Sequence, residues 1–174
     1  YESFEELYKY CYCVASSVGL MNIEIFGYIN QDIKKYAEYL GVALQLTNII
    51  RDVKKDAVNN RIYLPLEDMR KYDYDEQDLL NSIYNAKFIN LMKYQHNRAN
   101  EYYLKADTCL KRVDKSNMIA AIIMKNIYYK LYKKIRSVNY NVFDNDIRIT
   151  KINKFITAFM IFIKYKLLYK IGLQ

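Results

Sequence analysis

Gln45-Leu46-Thr47-Asn48-Ile49-Ile50-Arg51-Asp52-Val53-Lys54-Lys55-Asp56, followed at once by Asn60-Arg61-Ile62-Tyr63-Leu64-Pro65, decides how this chain is read. At about 100° per helical residue, Gln45, Asn48, Asp52 and Asp56 project within one arc of roughly 80°. Ala43, Leu44, Leu46, Ile49, Ile50 and Val53 make the same segment too apolar for a solvated surface helix. A polar stripe on a largely buried helix needs a partner.

Two carboxylates at i and i+4 stand about 5–6 Å apart at Cβ and repel when both are ionised, so the pair costs stability unless a cation lies between them. Mg²⁺ suits that supply, because one or two carboxylates typically hold it while phosphates and waters complete its octahedron. Arg51, Lys54, Lys55 and Arg61 add positive charge nearby. The stretch therefore reads as a metal and diphosphate platform. The competing reading is a salt-bridge ladder of Asp52 and Asp56 with Arg51 or Lys55, the commoner outcome for an arbitrary D-x-x-x-D. Gln45, Asn48 and the Arg-Ile-Tyr-Leu-Pro exit favour the platform.

Working outward, 174 residues that are 52% hydrophobic, with four Gly and one Pro, hold almost no turn chemistry for a β fold. The chain reads as one all-α unit over residues 1–174. Ser3-Phe4-Glu5-Glu6 is a capping box, so a first helix runs from Phe4 to about Gly27, with Tyr10, Val14, Ser17 and Met21 on one stripe. A second helix spans about 31–58. Asn59-Asn60 suits left-handed backbone angles, and Pro65 suits the first turn of a short helix carrying Glu67 and Asp68. Another helix start falls at Asp75, long helices at about 84–112 and 116–138, a loop at 139–146, and a last helix from about Thr150.

Three Cys form no disulfide framework; Cys11 and Cys13 point about 200° apart on a helix, and all three read as small buried thiols. The single histidine, His96, lies beside Gln95, Asn97 and Arg98 and reads as a surface residue. No Ser-His-Asp, zinc or Gly-rich nucleotide signature accompanies it, which disfavours hydrolases and kinases. The net charge of +8 is scattered without basic runs, so nucleic acid is not expected as a partner. The run Phe155 to Ile163 is shorter than the roughly 20 residues that span a bilayer. With Lys164, Lys166 and Lys170 behind it, the last helix either lies on a membrane surface or packs on the core. The localisation expected is cytoplasmic, with peripheral membrane contact as an option.

Three segments together, Tyr10-Cys11-Tyr12-Cys13-Val14-Ala15-Ser16-Ser17-Val18-Gly19-Leu20, Leu40 through Asp56, and Arg61-Ile62-Tyr63-Leu64-Pro65, resemble the squalene/phytoene synthase family in wording, order and spacing. The likeness is close over residues 7–70 and leans toward bacterial squalene-type and presqualene diphosphate synthases, while phytoene synthases share most of it. It implies an all-α, isoprenoid-synthase-like helical bundle that joins two allylic prenyl diphosphates head to head. In that family two Asp-rich motifs face each other across a cavity. Asp52 and Asp56 match the second, as metal ligands. The first has no counterpart here, so the expected bundle is incomplete, lacking the N-terminal helices and needing that motif from elsewhere, such as a partner chain.

The resemblance also assigns roles. Tyr10 matches a tyrosine near the reacting carbons, where a phenol can orient diphosphate or relay a proton. Arg51 and Arg61 would clamp the leaving group. Val14, Val18, Ala37, Leu40 and Leu44 match tunnel-lining positions that shield a carbocation from water. Gln45 and Asn48 would bind diphosphate oxygens or metal water, and Tyr128 matches a later cavity tyrosine. An arginine common in the family falls near Asn145 and Asp146, where only Arg148 is close. The implied cofactor is Mg²⁺; NADPH is not assigned, since no dinucleotide fingerprint is present. The leading expectation is farnesyl diphosphate to presqualene diphosphate or squalene. Phytoene from geranylgeranyl diphosphate, an inactive split remnant, and a basic membrane-surface protein without chemistry are the alternatives.

Overall fold

The computed structural model describes residues 1–170, with side chains through Tyr165. Lys166 and Lys170 of the expected basic rim fall outside the described side chains.

Ser3 opens the first helix as its sequence requires, with extended backbone and Oγ accepting from Glu6 N at 3.4 Å. The reciprocal half of the capping box is displaced by one residue: Glu6 Oε2 accepts from Glu2 N at 2.8 Å. The rod that follows comprises α1 (Phe4–Cys11), a π-helical turn (Tyr12–Ser16) and α2 (Ser17–Phe26). The π turn is a packing device. A Cβ on Gly41 would stand 2.7 Å from the Ser16 backbone, so only glycine admits this approach, and Ser16 Oγ then donates to Glu38 O at 2.8 Å.

α3 (Ile33–Val58) is the central element, 26 residues and so about 39 Å long. Its face of Ile33, Tyr36, Leu40, Ala43, Leu46, Ile50 and Val53 is buried. Its main partner is α6 (Ala86–Cys109), and the buried Thr47 hydroxyl meets the Tyr103 hydroxyl at 3.0 Å across that interface. α3 stops where Asn60 turns left-handed, with φ 55°, and Arg61 N returns to Asp56 O at 2.9 Å. Of the Asn pair only Asn60 takes that conformation, since Asn59 has φ −93°.

The exit segment is then strapped to the chain's start. Leu66 N donates to Tyr1 O and Glu67 N to Glu2 O, both at 3.0 Å, while Glu67 Oε1 accepts from Phe4 N at 2.7 Å. α4 (Leu66–Lys71) and α5 (Glu76–Leu80) follow, the latter capped by Asp75. α7 (Ile119–Ser137) packs on α3, and α8 (Lys151–Lys170) packs on α7. No strand occurs among the described residues.

Two expectations change. His96 is buried, 1% exposed, with Nε2 3.1 Å from Tyr132 O and its ring stacked 3.6 Å from that of Tyr132. Its polar neighbours misled, because Gln95 is buried too and Arg98 turns inward. Cys11 is buried as expected, but Cys13 is exposed and Cys109 half-buried. On the stripe of Tyr10, Val14, Ser17 and Met21, Val14 is 43% and Met21 60% exposed.

Candidate functional site

Gln45, Asn48, Asp52 and Asp56 share a face of α3, and all four are half-buried. Asn48 Nδ2 donates to Gln45 Oε1 at 3.4 Å, which leaves Asn48 Oδ1 buried with no partner. Such an orphaned acceptor is costly, and it marks where a donor or cation fits. Burial first, and the Asp52 charge second, hold the Asp56 carboxyl above the ordinary carboxylate range, against the opposing pull of Lys55, Arg61 and Arg51. The two acids therefore sense each other across one helical turn.

Asp52 is engaged by its neighbour. Arg51 Nε reaches Oδ1 at 2.8 Å, and the other guanidinium arm pairs with Oδ2. The salt-bridge element of the sequence reading is thus real at Asp52, and both side chains stay 28% exposed.

Asp52 and Arg51 open on a cleft of about 790 Å³ whose walls come from the end of α3, from α7 and from the segment leading into α8. Lys54, Lys55, Arg148 and Lys154 make it basic, Asp146 is its second acid, and Tyr128 and Leu131 line it from α7. Asn145, Asp146 and Arg148 thus come to the same hollow as Asp52, although none lies close to it in sequence. Asp56, one turn further along the same face, lines a separate small pocket with Arg61, Tyr63 and Leu64.

Tyr10 is half-buried on α1, its ring 5.3 Å from that of Tyr63 and 5.5 Å from that of Tyr1. Burial, then the neighbouring Tyr63, push its hydroxyl up to about 12. The five apolar positions divide: Ala37 and Leu40 are buried, Leu44 is half-buried, and Val14 and Val18 are 43% and 46% exposed.

One feature escaped the sequence reading. Asp68, 3% exposed, accepts from Gln95 Nε2 at 2.8 Å and from both arms of Arg98, at 2.5 and 3.2 Å. The Arg98 guanidinium also lies 4.1 Å from the Phe4 ring. This knot ties α4, α6 and α1 together and so fixes the exit segment that carries Arg61 and Tyr63. Only the apolar residues around Gln95 and Arg98 hinted that those two face inward.

Among the described residues no group of three or more His, Cys, Asp or Glu is placed to hold a metal. The donor set is two carboxylates and the Asn48 carbonyl oxygen. That set fits a hard cation that keeps several waters and takes further oxygens from its substrate, as Mg²⁺ does, and does not fit zinc.

Residues 1–153 match the squalene/phytoene synthase family. The chain is 38% identical over 159 residues to a 15-cis-phytoene synthase of Synechocystis sp., which spans 83% of this chain and 46% of that enzyme. It is 34% identical over 164 residues to chloroplastic phytoene synthase 2 of Zea mays, 90% of this chain and 40% of that protein. A crystal structure of a dehydrosqualene synthase superposes with TM-score 0.77 at 28% identity, over 95% of this chain and 58% of that one. YisP of Bacillus subtilis gives TM-score 0.75 at 26% identity, over 91% and 64%. The chain spans about half the length of the curated relatives it matches.

Proposed function

Because this chain belongs to the squalene/phytoene synthase family, we propose that it carries the diphosphate-handling side of a head-to-head condensation of two prenyl diphosphates. The observation that carries the reading is the Asp52–Asp56 pair: two mutually repelling acids on the same helix face as an unsatisfied Asn48 oxygen, Asp52 lining a basic cleft and Asp56 a small pocket with Arg61.

In this reading Asp52, Asp56 and Asn48 hold Mg²⁺, which when bound supplies Lewis-acid neutralisation of a departing diphosphate. Arg51 leaves Asp52 for the diphosphate oxygens, and Lys54, Lys55, Arg148 and Lys154 draw the anion into the cleft. Arg61 and Gln45 complete the anion's contacts. Tyr10 holds its proton at neutral pH and so serves as a donor toward a diphosphate oxygen. Tyr128, on the cleft wall, presents a ring to developing positive charge. Ala37, Leu40 and Leu44 offer apolar surface to the prenyl tail.

Both donors remain in play. The phytoene synthases of Synechocystis and maize favour geranylgeranyl diphosphate, and the dehydrosqualene synthase structure favours farnesyl diphosphate. Exposure of Val14 and Val18 supports a second reading, that this stretch alone cannot shield a carbocation and must be covered by further helices, its own or a partner's, before it turns over.

Two measurements test the proposal. Pyrophosphate titrated into the chain should bind only with Mg²⁺ present, and Asp52→Asn or Asp56→Asn should abolish that binding while helix content stays unchanged. Full-length protein incubated with labelled farnesyl or geranylgeranyl diphosphate and Mg²⁺ should yield a condensed product. A folded protein that gives neither result overturns the reading.

A further inference from the structure

α8 is apolar on two opposite faces, and the bundle uses only one. At about 100° per residue, Ile152, Phe155, Ile156, Phe159 and Met160 fall within an arc of roughly 140°, and no polar residue between 152 and 163 falls inside it. All five are between 48% and 71% exposed. The opposite side carries Thr157, buried against α7 where Lys130 Nζ donates to its Oγ1 at 2.5 Å, and the half-buried Ile161. A helix apolar all round calls for cover on both sides. Four of the five outward residues, from Phe155 on, lie beyond residue 153, where the family match ends. Charge points the same way: residues 1–114 hold 15 Lys and Arg against 17 Asp and Glu, whereas residues 115–174 hold 12 against 2. The lysines form no run, yet the surplus of +8 comes entirely from the last 60 residues. Neither α7 nor α8 contains an acid, and Lys133, Lys134, Arg136, Lys151, Lys154 and Lys164 are all exposed.

We propose that the outward face of α8 docks on an anionic lipid surface: its aromatic and aliphatic side chains enter the boundary between headgroups and acyl chains, and the basic side chains of α7 and α8 meet the headgroup phosphates. The helix lies on the membrane and does not cross it, since no described helix is long and apolar enough to span one. Apolar insertion and attraction to anionic lipid reinforce each other in this arrangement. A second copy fits the face less well, because it would bring together two units of net charge +10 with no acid on α7 or α8 to offset them. A lipid surface supplies both the cover and the opposite charge. The docking does not depend on the diphosphate reading. Where both hold, Lys154 lines the cleft from the first turn of α8, so docking sets the cleft near the phase in which prenyl chains dissolve.

The chain contains no Trp, so a single introduced one reports only its own position. Phe159→Trp marks the outward face of α8, and Val18→Trp marks the other exposed apolar face, on the first rod. With helix content and urea midpoint matching the parent, vesicles of phosphatidylcholine and phosphatidylserine in equal parts, carrying brominated acyl chains, should quench Phe159→Trp and leave Val18→Trp largely bright. Replacing the phosphatidylserine by phosphatidylcholine should weaken binding at least about tenfold, because several basic side chains lose their anionic partners at once. Phe155→Ser with Met160→Ser should weaken binding to the anionic vesicles by a similar factor, at least about tenfold, with the charge unchanged. Phe159→Trp left unquenched overturns the proposal, whether a second copy holds the face or, in the full-length protein, further helices do. Quenching of Val18→Trp in its place, or binding indifferent to lipid charge, overturns it as well.

Discussion

Arg51 and Asp52, consecutive on the central helix, form a two-point ion pair, with Nε 2.8 Å from Oδ1 and the second guanidinium arm on Oδ2. Neighbours on a helix diverge by about 100°, so this pair forms only because both side chains bend toward the same cleft. Arg51 is then a stand-in for the cation that the acid pair calls for. Arg51→Gln should lower folding stability by no more than about 1 kcal/mol, because the pair is 28% exposed on each side. It should raise Mg²⁺ affinity by up to about fivefold and weaken Mg²⁺-dependent pyrophosphate binding. Isothermal titration of both ligands checks this; weaker Mg²⁺ binding in the variant would mean that Arg51 does not compete for Asp52.

Asp68 and Arg98 carry a different weight, their side chains being 5% and 12% exposed. Removing one partner leaves the other charge buried, so Asp68→Ala should destabilise by about 3–5 kcal/mol, and the double change Asp68→Leu with Arg98→Met should recover much of that loss. Urea unfolding of the three variants measures it. Equal losses in the single and double variants would show that packing against Phe4, and not charge, dominates.

The contrast between these pairs shows what the sequence discloses. The shared helix face of Asp52 and Asp56 was legible because the two lie within one helical turn, where spacing alone fixes their relative direction. So were the helix boundaries at Ser3, Asn60, Pro65 and Asp75, where local caps and turns decide the backbone. Asp68, Arg98 and His96 were not legible, because their environments are built by elements some 30 residues apart along the chain. Polar neighbours in sequence imply a wet face only when the opposing element is known. The cleft likewise draws Asn145, Asp146 and Arg148 to Asp52 through the packing of α7, which no local pattern records.

His96 gives a pH signature of that burial. Desolvation lowers its imidazole to about 4, despite the backbone carbonyl of Tyr132 that favours protonation. The unfolded chain titrates near 6.5, so it binds more protons than the folded chain between these values, and stability falls as pH drops through that window. The loss should be on the order of 2–3 kcal/mol by pH 4. His96→Phe, which preserves the stack on Tyr132, should flatten this segment of the stability profile. A slope unchanged by the substitution would assign the acid sensitivity to carboxylates instead.

Val14, Val18, Met21 and Ile25 on the first rod, and Ile152, Phe155, Phe159 and Met160 on α8, expose between 43% and 79% of their surface. Monomers rarely carry apolar area of that extent uncovered. Relatives such as the dehydrosqualene synthase continue well beyond the 58% of their length that this chain matches. The chain on its own should therefore self-associate with rising concentration and bind a hydrophobic dye. Val18→Lys together with Phe159→Lys should suppress both effects without lowering the urea midpoint, since neither side chain packs in the core. Sedimentation velocity across a hundredfold range of concentration decides the matter: a monodisperse monomer throughout would mean that these faces need no cover, and that the open site is the working form.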